Sequence, residues 1–462
     1  MDIQKSLKNP NSFWIAERII FFGTLISFLV FTGLLMITER HNVAAAGQHF
    51  LNYLFNIVSV GTLTGLFQGD SGTLTFNGQL VLLLDMVVNG LIASVVSILL
   101  IIFVRLGFGR KETLRLEIEK IGAHTKSILA FILLDFLFVW GLGTLLLLAS
   151  GAHGLWEAVF NSASHILNDG VTALPNNMIP YARNVPMLLS GAFLITIGGL
   201  GISIRGYVYK QIFRLFRLHK LAESIPDSIL APKNFIVIVL LVTLGLQVFG
   251  AFSLYALEHS NMHIFAESTS SFVKFINSYY MSVSARTAGF TTFQNLALLN
   301  DKSNLVLMGL MAVGAAPGSF AGGIFKITAF IYVLVSVSAR FLGYKEVRTP
   351  HRRLHFAERT IMEADLRVIG FSLVVMILIV SLFFVQPNIS GFWLMFEGIS
   401  AVSNTGLTLG ATGVLNSMAM IIIITLMTIG KIGFIATVTS FFPRFRHMIE
   451  RADTNFDALP VD

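Results

Sequence analysis

The chain has 462 residues, of which 55% are hydrophobic and 12% charged, with a formal net charge of +7. That balance excludes an ordinary soluble globule and places most of the chain in lipid. The absence of cysteine excludes disulfides, thiolate metal sites and cysteine nucleophiles.

Eight apolar stretches approach the roughly 20 residues needed to cross a bilayer: 14–37, 79–104, 127–150, 186–208, 233–257, 303–338, 366–386 and 415–442. The first follows Lys5 and Lys8, is longer than a signal-peptide core and lacks a small-residue cleavage site, so it reads as a retained helix. Basic residues gather after the second stretch of every pair. Arg105, Arg110, Lys111, Arg115, Lys120 and Lys126 follow the first pair, and Arg205, Lys210, Arg214, Arg217 and Lys220 the second. Arg340, Lys345, Arg348, Arg352, Arg353 and Arg359 follow the third, and Arg444, Arg446 and Arg451 the fourth. Under the positive-inside rule these clusters and both termini are cytoplasmic, and each pair crosses out and back.

Within each pair lies an apolar stretch too short to cross: roughly 48–61, 154–167, 271–285 and 391–403. Each runs into a glycine followed by a bulky apolar residue: Gly65 in GTLTGLF, Gly170 in ILNDGVT, Gly289 in SARTAGFTT and Gly406 in AVSNTGLTL. Separations of 105, 119 and 117 residues make a long-period repeat. A helix C-cap or a turn accounts for one such glycine. Four in register, on one side of the membrane, point to re-entrant pore helices whose following backbone converges on one axis and offers carbonyls to a cation. Thr62, Thr64, Asn168, Thr287, Asn404 and Thr405 supply hydroxyls and amides to brace these turns.

The remaining polar features are more ambiguous. In the second unit, IGGLGIS (residues 197–203) suits close helix packing. In the third, VGAAPGSFAGGIFK (313–326) places Gly314, Pro317, Gly318, Ser319, Gly322 and Gly323 ahead of Lys326 inside a membrane-length stretch. That composition breaks a helix and reads as an intramembrane loop, with a broken packing helix as the alternative. Lys431, in TLMTIGKIGFIATV, is a cation at membrane depth. It either lies in the pore beside that loop, or snorkels, or pairs with a buried acid such as Asp85 or Asp135. Asp169 either concentrates cations at the pore mouth or turns away to cap a helix. Glu157 and Glu397 read as dipole or cap residues near pore-helix N-termini, and Arg286 as a partner for acids or carbonyls behind the turn. The histidines show no metal-ligand spacing, no phosphate loop is present, and Ser164 beside His165 is not a catalytic pair, so no enzyme chemistry is read here.

Taken together, SARTAGF, the APGSFAGGIFK segment, AVSNTGL and GKIG resemble the ion-conducting, KtrB-like membrane subunit of the Ktr/Trk/HKT superfamily of potassium transporters. The resemblance implies four fused pore units around one path, with filter glycines at Gly65, Gly170, Gly289 and Gly406. It also implies a gating loop matching Gly314 to Lys326 and a basic gate residue matching Lys431, where family members more often carry arginine. A homodimer in the cytoplasmic (inner) membrane, controlled by a cytosolic KtrA/TrkA-like RCK/KTN regulatory subunit that carries the nucleotide, is implied as well. This chain has no dinucleotide fingerprint and no cofactor of its own beyond the potassium ion. Units one and two depart from the family pattern at TLTGL and NDGVT. Glycine at position 65, where related plant proteins with sodium preference carry serine, implies potassium.

The expected fold is an all-α polytopic membrane protein with four helix–pore helix–helix units in pseudo-fourfold arrangement. The units span 1–126, 127–232, 233–365 (with the gating loop at 314–326) and 366–462. The expected function is potassium uptake, with sodium dependence left open. The alternative is a sodium-selective or proton-coupled symporter, for which Asp85 and Asp135 are the candidate intramembrane carboxylates.

Overall fold

The computed structural model describes residues 11–42, 49–106, 111–225, 230, 233–265, 268–316, 319, 347–349, 352–354 and 358–432. In hydrocarbon every backbone donor and acceptor must be satisfied within the segment, and the described apolar stretches are helical accordingly.

Each unit has an outer helix, a short pore helix, a glycine turn, a 3-10 turn and an inner helix. In unit one these are α1 (Asn11–Thr38), α2 (Phe50–Gly61), the turn Ser71–Thr73 and α3 (Phe76–Leu106). Unit two has α4 (Lys111–Ala149), α5 (Leu155–Leu167), Ile179–Tyr181, and an inner element divided into α6 (Val185–Gly199) and α7 (Ile202–Leu215), followed by α8 (His219–Ser224). Unit three has α9 (Lys233–Glu258), α10 (Ser271–Ser284), Leu296–Leu298 and α11 (Asp301–Ala312). Strands β1 (Val347–Thr349) and β2 (Arg352–Leu354) pair antiparallel in the segment leading to unit four. That small hairpin is the one non-helical element among the described residues, and no apolar pattern in the sequence announced it. Unit four has α12 (Glu358–Val385), α13 (Gly391–Val402), Thr412–Val414 and α14 (Ser417–Ile432).

Phe21–Thr38, Phe76–Ser94, Ile128–Ala149 and Ile236–Glu258 are each long and apolar enough to cross a membrane. The stretch 186–208, expected as one span, is instead bent by 104° between α6 and α7. Gly201 sits at φ +80° at the break, a conformation no L-residue helix continues through. Packing therefore explains only part of IGGLGIS. Gly198 does lie close to the Ile166 carbonyl of the pore helix, but Leu200 and Gly201 end the helix. Of 303–338, Asp301–Ala312 is helical and Val313 is extended, so the helix stops where the glycine-rich segment starts.

The units are clasped at the outer end of each hairpin. Glu39 accepts from the Thr75 N–H (3.0 Å) and hydroxyl (2.5 Å), and Glu258 from the Asn300 N–H (2.9 Å) and the Ser303 hydroxyl (2.5 Å). In unit two Asn184 donates to the Ser150 carbonyl (2.9 Å), and in unit four the Asn416 N–H donates to Gln386 (3.1 Å). Between units the packing is cyclic. Inner helix α3 packs on pore helix α5, α6 on α10, α11 on α13, and α14 returns to α2. Large side chains such as Leu134, Leu145, Leu241 and Phe384 stay exposed on the outer faces, as a lipid-facing surface requires.

Candidate functional site

The four glycine turns share one backbone conformation. Gly65, Gly170, Gly289 and Gly406 have φ of +87°, +89°, +73° and +90°. Two residues earlier, Leu63, Asn168, Thr287 and Asn404 are also left-handed, at φ +57°, +58°, +74° and +51°. Only glycine takes this region freely. Each non-glycine case costs about 1–3 kcal/mol, with Thr287 the furthest from its preference because it is β-branched. Each turn leaves its pore helix the same way, through an N–H bonded to a serine carbonyl: Thr64 to Ser59 (2.8 Å), Asp169 to Ser164 (3.0 Å), Gly289 to Ser284 (3.1 Å) and Thr405 to Ser400 (2.9 Å).

The turns also form a closed ring. A Cβ on Gly65 would overlap the Asp169 carbonyl and approach Gly170; one on Gly170 would lie 2.7 Å from the Ala288 carbonyl and 3.0 Å from Gly289 Cα. One on Gly289 would overlap the Thr405 carbonyl beside Gly406, and one on Gly406 would overlap the Thr64 carbonyl beside Gly65. Four backbones thus meet edge to edge in chain order and return to the first. The C-terminal ends of α2, α5, α10 and α13, which carry partial negative charge, run directly into these turns.

Behind the ring the support differs from unit to unit. Asn404 donates to the Thr64 hydroxyl (2.9 Å) and to the Met427 carbonyl (2.9 Å), tying unit four to unit one and to its own inner helix. With its amide oriented to satisfy both groups, Asn168 donates to His165 O (2.7 Å) and Ile195 O (3.2 Å). Thr62 shares a hydrogen bond with Thr64 (2.7 Å) and donates to the Ser59 carbonyl (3.2 Å), and Thr405 pairs with Ser403 (2.8 Å). The Thr287 hydroxyl is buried with no hydrogen-bond partner among the described residues. In that unit the neighbouring Arg286 does the bracing, donating to Gly314 O (3.0 Å) and Thr243 O (3.3 Å).

Asp169 lies at the turn of unit two, next to Gly170. It is fully buried, and its carboxylate has the Val171 backbone N–H beside it. It lies within electrostatic reach of Asp85 and of Lys431, which is partly buried near the end of α14. The two candidate intramembrane acids are engaged separately: Asp135 forms an ion pair with Arg205 (2.7 Å), and Asp85 accepts from Asn89 (2.7 Å). Glu397 lies well inside α13, not at its start, and accepts from Thr408 (2.9 Å) and Thr412 to hold the strand after the turn. Glu157 does sit in the first turn of α5, accepting from the His153 N–H (3.1 Å) and Tyr181 (2.5 Å). Ser164 donates to the Val171 carbonyl while His165 is turned to Asn161 O and Tyr280, so the two form no dyad. Of the expected gate residues, Gly314, Ser319 and Lys431 are described; Pro317, Gly318, Gly322, Gly323 and Lys326 lie outside the described residues.

Sequence reasoning missed several contributors. Serines five or six residues before three of the glycines bind the turn or the strand beyond it: Ser164 donates to Val171 O (2.6 Å), Ser284 to Phe290 O (2.6 Å), and Ser400 accepts from the Gly406 N–H (3.0 Å), whereas the buried Ser59 hydroxyl has no partner among the described residues. Their spacing was visible in the sequence. Asn177 Nδ2 donates to the Gly170 carbonyl (2.9 Å) and its Oδ1 accepts from the Thr291 N–H (3.1 Å), so the carbonyl of this turn has a lone pair engaged by protein. His165 stacks on Phe290 at 3.9 Å, joining units two and three. Outside the ring, Ser71 to Thr172 O (2.9 Å), Met178 N–H to Thr291 O (3.1 Å) and Gln68 to Thr412 O (2.5 Å) form a collar across unit boundaries.

The profile of the TrkH family of cation transport proteins matches residues 108–447. The chain belongs to that family. It is a membrane transporter and not an enzyme. It is 28% identical over 410 residues to Ktr system potassium uptake protein B of Bacillus subtilis (strain 168), covering 85% of this chain and 86% of that protein. Over 444 residues it is 26% identical to the potassium/sodium uptake protein NtpJ of Enterococcus hirae, covering 93% and 92%. Its fold matches the crystal structure of the potassium transporter TrkH from Vibrio parahaemolyticus with a TM-score of 0.69 at 17% identity, over 92% of this chain and 85% of that one.

Proposed function

We propose that this family member carries potassium into the cell through the ring of glycine turns, with Thr64, Gly65, Asp169, Gly170, Ala288, Gly289, Thr405 and Gly406 supplying the carbonyl-bearing backbone. The observation that carries the reading is the closure of the ring, each glycine against the residues of the next unit and the fourth against the first. A carbonyl cage of that kind replaces a cation's hydration shell without using a charged ligand. The family relatives named for potassium uptake support the choice of ion. Thr62, Asn168, Thr287 and Asn404 occupy the second layer, and units 1–126, 127–232, 233–365 and 366–462 each supply one turn.

In this reading Gly314 to Lys326 form a gate below the ring and Lys431 is its electrostatic counterpart. Deleting residues 315–322 is then expected to raise flux. Uptake is driven by the membrane potential across the cytoplasmic membrane, and a homodimer works with an RCK/KTN-type cytosolic subunit that holds the nucleotide. A second reading, co-permeation or activation by sodium, is favoured by the relative named for potassium and sodium together. The test is potassium uptake in cells deprived of their own potassium systems. The wild-type chain restores it and Gly406→Ala does not; equal uptake by both sinks the filter assignment.

A further inference from the structure

Helix α6 runs for 15 residues from the outer clasp at Asn184. At 1.5 Å per residue that is about 22 Å, roughly 8 Å short of the far edge of a hydrocarbon core of about 30 Å. The 104° bend then turns α7 across the direction of α6, at the depth of about 5–10 Å where interfacial helices bury an apolar face. The bend is fixed from the protein side. Arg205, buried one turn into α7, donates to the Ile197 carbonyl (2.9 Å) and to Asp135 of α4 (2.7 and 3.1 Å). Ile204 packs with Ile236 and Val239 of α9, and Gly206 leaves room for Phe131 of α4. The opposite face is open. Val208, Ile212, Leu215 and Phe216, at i, i+4, i+7 and i+8, are exposed, the last two at 78% and 68%. This stripe continues the exposed apolar surface of α4, where Phe138 meets Tyr209 of α7 edge-on at 6.2 Å.

The far end of α7 carries charge. Residues 202–224 hold five arginines and lysines against one acid, Glu223. Arg214, Arg217 and Lys220 are exposed, and their side chains make no hydrogen bond or ion pair among the described residues. Arg217 occupies the left-handed turn that closes the helix, at φ +59°, with its N–H on Arg214 O (3.1 Å) and the Leu218 N–H on Phe213 O (2.8 Å). Glycine is the usual occupant of that position, and an arginine there bears backbone strain that glycine would not. The strained position holds a cation at the end of the apolar stripe.

We propose that α7 and the turn after it form an interfacial site for anionic phospholipid, on the side of the bilayer away from the pore helices. Val208, Ile212, Leu215 and Phe216 enter the acyl boundary, and Arg214, Arg217 and Lys220 reach out on their apolar stems to phosphate-bearing head groups. Charge selects this occupant. A neutral lipid leaves the three cations without counter-charge, and a second copy presenting the same face would bring like charges together. The site calls on neither the filter nor the gate.

The chain has no cysteine, so a single label reports one position. Full-length Phe216→Cys, labelled with bimane, is placed in phosphatidylcholine liposomes that contain brominated phosphatidylglycerol or brominated phosphatidylcholine as a minor component. Ser260→Cys, exposed just beyond the outer end of α9, is the water-side control. Quenching is expected at 216 and not at 260, with an apparent preference of roughly tenfold for phosphatidylglycerol. Arg217→Gly separates lipid binding from folding. It keeps the left-handed turn, so the melting temperature in detergent stays level or rises, while the preference falls roughly fivefold, the share of one basic residue at a membrane surface. Arg214→Lys, which keeps the charge, retains the preference. Excess inorganic phosphate at matched ionic strength leaves it in place, because the apolar stripe holds only a lipid. No quenching at 216, equal quenching by the two lipids, or an unchanged preference in Arg217→Gly overturns the proposal. Displacement by inorganic phosphate overturns it in favour of a free-anion site, and an unquenched, disulfide-linked Phe216→Cys dimer overturns it in favour of a second copy.

Discussion

The outer and inner halves of the molecule follow opposite rules. At the level of the glycine turns the four units are near copies, down to paired left-handed residues and a serine carbonyl behind each turn. Below it the inner helices diverge: α3 runs unbroken for 31 residues, the unit-two helix bends at Gly201, α11 stops at Ala312, and α14 carries Lys431. A carbonyl ring demands equivalence, because each strand must present the same atoms at the same distance. Control of access demands the reverse, since one blocking segment needs one anchor and one counter-charge. On the proposed function, repetition marks where the ion is selected and asymmetry marks where passage is decided.

The strongest way to break the comparison is to put a side chain into the ring. Gly65→Ala and Gly406→Ala combine left-handed strain of about 1–2 kcal/mol with overlap on a neighbouring carbonyl, and potassium uptake is expected to fall roughly 100-fold, or about 2.7 kcal/mol. Gly170→Ala should lose less, since its nearest backbone neighbour is further away, at 2.7 Å. Equal losses at all positions would mean that the glycines matter for folding and not for ring geometry, which size-exclusion profiles of the purified variants decide.

A smaller effect is expected from Asn404→Leu. It removes two hydrogen bonds that join unit four to Thr64 and to the Met427 carbonyl, and at about 1 kcal/mol each the potassium-over-sodium preference is expected to drop by roughly tenfold. Competition uptake with rising sodium measures it. Smaller again is Asn177→Ala, which releases the Gly170 carbonyl: potassium KM shifts about two- to threefold, within the range of a single neutral hydrogen bond. The smallest is Leu63→Gly, which relieves a left-handed leucine. A higher melting temperature in detergent, from about 1–2 kcal/mol of relieved strain, is expected alongside slightly poorer ion discrimination.

Much of the outer half was legible in the sequence because it repeats. Four short apolar stretches and four glycines at matching offsets gave the pore helices to within a few residues of their ends. The inner half was less so. Hydropathy over 186–208 runs smoothly across the break, because a bent helix in lipid has the same composition as a straight one and only Gly201's positive φ separates them. The burial of Asp169 was hidden for a related reason: sequence gives its neighbours in the chain, not those it meets in space. The Asp135–Arg205 pair joins residues 70 apart that carry no motif, and the Glu39 and Glu258 clasps became recognisable as equivalents only when their partners were seen.

The central claim is that the ring of backbone carbonyls selects the ion, and Gly289→Ser tests it most directly. In liposomes holding the purified protein, rubidium flux is measured against increasing external sodium for the wild type and the variant. The account predicts that wild-type flux resists sodium, whereas Gly289→Ser, whose side chain would press on the Thr405 carbonyl, loses that resistance together with most of its flux. Flux and sodium sensitivity identical to wild type in a correctly folded Gly289→Ser protein would contradict it.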